Sequence, residues 1–153
     1  MTTSPAMLGA AAELLVAAEF ALAGLQVYEP LADDRGVDLL VDLGAGRHLL
    51  VQVKSARIGA RDSYIFMSKK HFPLEPHRAV ALVIFPADGE REFFLIPSAT
   101  WQDASPPFTD YDYEGKKSAP EYGLRLHRHH WREHLATWSL REQMKLVVGQ
   151  ASG

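Results

Sequence analysis

The chain has 153 residues, 47% hydrophobic and 23% charged, with a net charge of -3, the composition of one ordinary globular domain spanning residues 1–153. It has no cysteine, which excludes disulfides and thiolate metal sites and gives no sign of an oxidising compartment. The mildly acidic balance excludes a whole-molecule field that would draw in nucleic acid, so any such binding needs a local basic patch.

Ser4 followed by Pro5 reads as an N-cap with proline at the first helical position. The Ala- and Leu-rich run from Ala6 to Ala23 then predicts a helix about 27 Å long, stopped by Gly24. Glu13 and Glu19 interrupt this apolar run and no basic segment precedes it. It therefore reads as a buried helix of a soluble, cytoplasmic protein, not as a signal peptide or a membrane span. "LQVYEP" predicts a short strand ended by Pro30, and "LADDRG" a turn-rich loop.

"VDLLVDL" and "HLLVQVKSA" alternate about "GAGR", a hairpin pattern. A loop of Gly44, Ala45 and Gly46 sets Leu43 opposite Arg47, Asp42 opposite His48 and Asp38 opposite Gln52. Leu39, Val41, Leu43, Leu49, Val51 and Val53 then share one face. Asp38, Asp42, His48, Gln52 and Lys54 share the other, with Leu40 and Leu50 among them, and a one-residue slip would destroy the sorting. "SYIFM", "RAVALVIFP", "REFFLIP" and "YGLRLH" predict further strands; the unbroken "ALVIF" suits a central strand covered on both faces. Residues 103–121, with their prolines and charges, read as a loop. Trp131, Leu135, Trp138 and Met144 recur at helical spacing and predict one closing helix. The fold class is α/β (α+β): a mixed central sheet flanked by an N-terminal and a C-terminal helix.

An amide and an ammonium on one side of an otherwise apolar strand, Gln52 and Lys54, need compensation. The Asp38 carboxylate, the Gln52 amide oxygen and the Val53 carbonyl are hard oxygen donors, the set that Mg²⁺ accepts. Lys54 beside them could position or deprotonate a water, or offset charge on a phosphate. Glu13 sits on an apolar helix face with Val16, Ala17 and Phe20. That placement makes sense if the helix crosses the sheet and aims Glu13 at Asp38 and Gln52, with Gly9 one turn earlier permitting close approach.

These segments, "GAAAELLVAAEFALAGLQVYEPLADDRGVDLLVD" and "LLVQVKSAR", resemble the PD-(D/E)XK nuclease superfamily, whose fold is restriction-endonuclease-like, and in particular its resolvase-like and homing-endonuclease-like branches. In that pattern a helix supplies a Glu, a strand an Asp, and the next strand an acid, a spacer and a Lys. The matching positions are Glu13, Asp38, Gln52 and Lys54, so this would be a Q-x-K variant with one carboxylate fewer. The resemblance implies an endonuclease acting on nucleic acid, DNA above all. It implies Mg²⁺, with Mn²⁺ as a substitute, held by Asp38, Gln52, Val53 and Glu13. It also implies 5′-phosphate and 3′-hydroxyl products and a homodimer. Arg57, Arg61, Lys69, Lys70 and His71 follow the motif and would form the basic patch for phosphates, while Tyr64 would stack on a base or sugar.

Bland readings stand beside these. Asp38 could end a turn, Gln52 and Lys54 could lie on an exposed sheet face, and Glu13 could be a solvated helix acid. One hairpin register accounting for all four weighs against that. The substitution at Gln52 motivates an alternative: an inactive nucleic-acid- or partner-binding module that keeps the fold. His130, Glu133 and His134 spell H-x-x-E-H, a zinc-protease order, but the chain beyond offers little for a third ligand, and a surface position at a helix start is the better reading.

Overall fold

The computed structural model describes residues 2–150. Helix α1 (Pro5–Leu22) starts as expected: Met7 N–H donates to the Ser4 hydroxyl at 3.2 Å and Pro5 takes the first turn. It ends at Gly24, whose φ of +85° is the left-handed conformation that terminates helices. Length and a mean hydropathy of 1.5 would suffice to cross a bilayer. Here, Ala12, Val16 and Phe20, one helical turn apart, are buried against the sheet. The expectation of a buried helix needs correcting, since only this stripe is covered and Leu14 on the outer side is 67% exposed.

Strands β1 (Gln26–Tyr28), β2 (Leu39–Gly44), β3 (Arg47–Ile58), β4 (Ser63–Ser68), β5 (Arg78–Pro86) and β6 (Glu92–Pro97) follow. A 3₁₀ turn (Ser98–Trp101) leads to β7 (Phe108–Tyr111) and β8 (Glu121–Leu126). The main sheet runs β1-β2-β3-β5-β6, mixed because only β3 and β5 are parallel. Strands β4, β8 and β7 form a separate antiparallel sheet, which sequence patterning did not separate from the first. Strand β7 also falls inside the stretch read as a loop: its short FTDY run is recruited by β8, a partner that local sequence does not reveal.

The hairpin register holds at its core, with Leu39 opposite Val51 and Asp42 opposite His48. It differs at the tip, where a bulge puts Gly44 opposite Arg47 instead of Leu43. Gly44, Ala45 and Gly46 all have positive φ, and Gly44 N–H donates to the Asp42 carboxylate at 2.7 Å. The two-residue turn that results gives the twist hairpins favour.

Strand β5 divides two cores. Ala79, Ala81 and Val83 face α1 together with Leu39, Val41, Leu49 and Val51. Val80, Leu82 and Ile84 face the second sheet together with Ala56, Ile58, Met67, Leu124 and Trp101. Burying each such aliphatic side chain stabilises the fold by about 1.5–3 kcal/mol. The predicted closing helix is broken into α2 (Trp131–Leu135), a 3₁₀ turn (Ala136–Trp138) and α3 (Leu140–Gly149). The break falls at Ser139, whose extended backbone forms an isolated bridge to Phe94.

Candidate functional site

Strand β2 begins at Leu39 while β3 runs on to Ile58, so beyond Val51 the edge of β3 facing β2 has no strand partner. Asp38 stands at that fork. Its N–H donates to the Val51 carbonyl at 2.9 Å, and its carboxylate accepts the Val53 N–H at 2.7 Å. A backbone donor that β2 no longer satisfies thus fixes the carboxylate in the gap.

Gln52 and Lys54 share the β3 face that continues through Ala56 and Ile58 into the core beneath the second sheet. Both are half-buried at the open end of that core. With Asp33, Gly36, Phe66 and His71 they line an open cleft of about 370 Å³. Asp38 and Glu13 are not part of its lining. The amide oxygen of Gln52 is buried without a hydrogen-bond partner, one of three such side-chain atoms among the described residues. An unsatisfied buried acceptor costs about 1–3 kcal/mol, so an oxygen left in this state is available to a cation.

Burial dominates the electrostatics of these groups. Burial pushes the Asp38 carboxyl above its usual value, against the pull of the Val53 N–H and Lys54. Burial also raises Glu13, and the nearby charges of Asp38, Glu29 and Asp33 add to it. Burial lowers the Lys54 ammonium, which Asp38 partly offsets. Of these neighbouring charges, that of Asp38 acts most strongly on Glu13. Gly9 plays no part in this: an added Cβ there meets nothing within 4 Å, so close approach is not its role. Among the described residues no three His, Cys, Asp or Glu side chains converge as a ligand group.

Two residues of this site were missed in the sequence. Asp33 lies in the turn-rich LADDRG segment. Its carboxylate accepts N–H groups from Arg35 and Val37 at 2.8 and 3.0 Å. Burial alone would raise it, but these donors and that of Gly36 outweigh burial and hold it below the usual range, fully charged beside the cleft. Gly36, at φ +68°, lies against Gln52. The D-x-x-G spacing was visible, but not that it faces Gln52.

The basic residues are dispersed. Arg57 and Arg61 are exposed around the β3–β4 turn, with Arg57 donating to the Thr3 carbonyl at 2.9 Å. Lys70 is exposed beyond β4. Lys69 is ion-paired with Asp110 and Asp112 of the segment around β7, so its charge is already neutralised. Tyr64, on the outer face of β4, donates its hydroxyl to Glu121 at 2.6 Å. His130 sits 3.5 Å from Glu133, both largely exposed.

This arrangement of helix, hairpin fork and mixed sheet is an α+β fold that resembles a nuclease fold. A bacterial homing endonuclease, I-Ssp6803I, superposes with a TM-score of 0.62 over 99% of this chain and 96% of that one, at 17% identity. A Holliday junction resolvase, Archaeoglobus fulgidus Hjc, aligns over 76% of this chain and 82% of that one with a TM-score of 0.45 and 11% identity. No family model matches the sequence, and no curated protein does.

Proposed function

We propose that the protein is a metal-dependent endonuclease that hydrolyses phosphodiester bonds in nucleic acid, with DNA as the expected substrate, and that Glu13, Asp38, Gln52 and Lys54 form its Q-x-K variant of the PD-(D/E)XK site. The observation that carries this reading is the fork itself. A fixed carboxylate, an unpartnered buried amide oxygen and a half-buried lysine meet beside an open cleft. The likeness to an endonuclease fold supports it.

Asp38, Gln52 and the Val53 carbonyl would hold Mg²⁺ or Mn²⁺, with Glu13 from the α1 side. The bound metal would supply Lewis-acid stabilisation of charge on the scissile phosphate. Lys54, its ammonium lowered by burial, would orient the attacking water and exchange a proton at Nζ. Asp38 would keep Lys54 charged enough to contact phosphate, and Asp33 would return part of the negative charge that Gln52 lacks. Arg57, Arg61 and Lys70 would contact phosphates on either side, with Lys69 a weaker contributor because of its ion pairs.

The lack of three convergent acidic or histidine ligands among the described residues favours a second reading, a binding module without turnover. One experiment separates the two. Wild type and Lys54→Ala are incubated with Mg²⁺ or Mn²⁺ and a panel of duplex, branched and single-stranded substrates. Metal-dependent products from wild type alone support the nuclease. Retention of nucleic acid without metal or products supports the module. Equal cleavage by Lys54→Ala sinks the site assignment.

A further inference from the structure

The second sheet has one face in the core, through Ile65, Met67, Leu124, Leu126 and Phe108. Alternation turns the other residues outward. An exposed antiparallel face is ordinarily polar, yet here Phe66 is 52% exposed and Tyr64 37% exposed. Their rings form a stacked pair, 6.3 Å apart and 23° from parallel. Arg125 of β8 lies over the Tyr64 ring at 5.5 Å and donates to the Tyr111 hydroxyl at 2.9 Å. Tyr111 in turn lies 5.4 Å from Tyr113. The ladder starts at the cleft: Phe66 lines it, and Lys54 Nζ is 5.8 Å from the Phe66 ring.

The Tyr64 ring is held in place. Gly123 leaves the space that Tyr64 occupies, since a Cβ there would meet the phenol oxygen at 2.0 Å. The phenol is pinned by Glu121 at 2.6 Å and Thr109 at 3.2 Å. Burial and the Glu121 contact push its pKa up to about 12, so it stays neutral beside any phosphate. The acids near it are engaged, Glu121 by Tyr64 and the pair Asp110 and Asp112 by Lys69. Arg125 is engaged in no ion pair among the described residues. Asp110, Asp112 and Glu121 face Lys69 and Arg125 here, so what the face offers is aromatic surface with the Arg125 guanidinium among it.

We propose that this face is a stacking platform for unpaired bases, so that the nucleic acid entering the Lys54 cleft carries unpaired nucleotides next to the bond being cut. The inference rests on the proposed nuclease reading for what lies in the cleft, but not for the platform itself. Duplex bases hide their faces in the stack and offer only edges to a protein. Rings 6.3 Å apart stand nearly twice as far from each other as bases stacked about 3.4 Å apart, a spacing that suits bases splayed from one another. Stacking on aromatic rings and on guanidinium planes is the sequence-tolerant way to hold such bases, and Arg125 supplies such a plane beside Tyr64.

The test is fluorescence anisotropy in EDTA with full-length protein. Three labelled probes are used: an oligothymidylate, a hairpin with an unpaired bulge, and a fully paired hairpin. Phe66→Ala and Tyr111→Ala are each expected to weaken binding of the first two by about 5-fold or more and to leave the third unchanged. Phe66→Leu, which keeps the apolar surface, is expected to behave like Phe66→Ala. Unchanged affinity for unpaired probes, or a loss confined to the paired hairpin, would overturn the platform. Equal cleavage by Lys54→Ala reports a failed site assignment, whereas these affinities in EDTA report only on the platform. A failed site assignment and a failed platform therefore give different results.

Discussion

Gly36→Ala tests whether the loop before β2 is built around Gln52. At φ +68° an L-side chain costs about 1–2 kcal/mol. The new methyl would lie 2.9 Å from Gln52 Nε2, 3.0 Å from the His71 carbonyl and 3.1 Å from His71 Cβ, several tenths of an ångström inside contact distance. Overpacking of this kind costs roughly 1–3 kcal/mol. The His71 carbonyl cannot yield easily, because Arg78 Nη1 donates to it at 3.2 Å. The Gln52 amide is the part that moves. Gly24→Ala is the control, with a comparable φ of +85° but nothing within 4 Å. At about 2–4 °C per kcal/mol for a chain of this size, Gly24→Ala should lower Tm by roughly 2–8 °C and Gly36→Ala by roughly 4–20 °C. Mn²⁺ should raise the Tm of wild type and Gly24→Ala, with affinity reduced about 10-fold or more in Gly36→Ala. The assay is thermal unfolding with and without Mn²⁺, repeated with Gln52→Ala in the Gly36→Ala background, which should recover part of the steric cost. Equal Tm losses and equal Mn²⁺ responses for the two glycine variants would refute the reasoning.

Glu13 has a raised pKa in the folded protein, so the native state holds a proton that the unfolded chain has released, and stability falls as pH rises from 4.5 through the folded value. Glu13→Gln should remove that fall and be the more stable protein at neutral pH, by less than about 1 kcal/mol because solvent screens the site; a lower Tm than wild type at neutral pH would count against it. Lys54→Met should lower cleavage by about 10²–10⁴-fold without lowering Tm at neutral pH, since burial already disfavours the ammonium; a collapse in Tm would show a structural role instead. For nucleic-acid binding, Arg61→Ala should reduce the salt slope by about one, whereas Lys69→Ala should leave it nearly unchanged, a comparison that titrations at several salt concentrations make directly. Trp101 is fully buried and donates to the Gly123 carbonyl at 2.9 Å, so Trp101→Ala should cost about 3–5 kcal/mol and lower Tm by roughly 6–20 °C, read by calorimetry.

The sequence by itself determined the features that depend on neighbours along the chain. Ser4 and Gly24 bound α1 because caps satisfy local backbone groups. The alternation from Leu39 to Lys54 set the hairpin register because a strand shows its two faces every second residue, and that register alone gathered Asp38, Gln52 and Lys54. Tertiary structure decided the rest. Whether Phe108–Tyr111 forms a strand depends on β8, far along the chain. Lys69 loses its free charge to Asp110 and Asp112, which only β7 brings near. Asp33 becomes part of the site because its loop folds back over Gln52. Tyr64 and Phe66 become an outward ladder because β4 leaves the main sheet to pair with β8. In each case a partner distant in sequence supplies the energy, and no local pattern encodes which partner that will be.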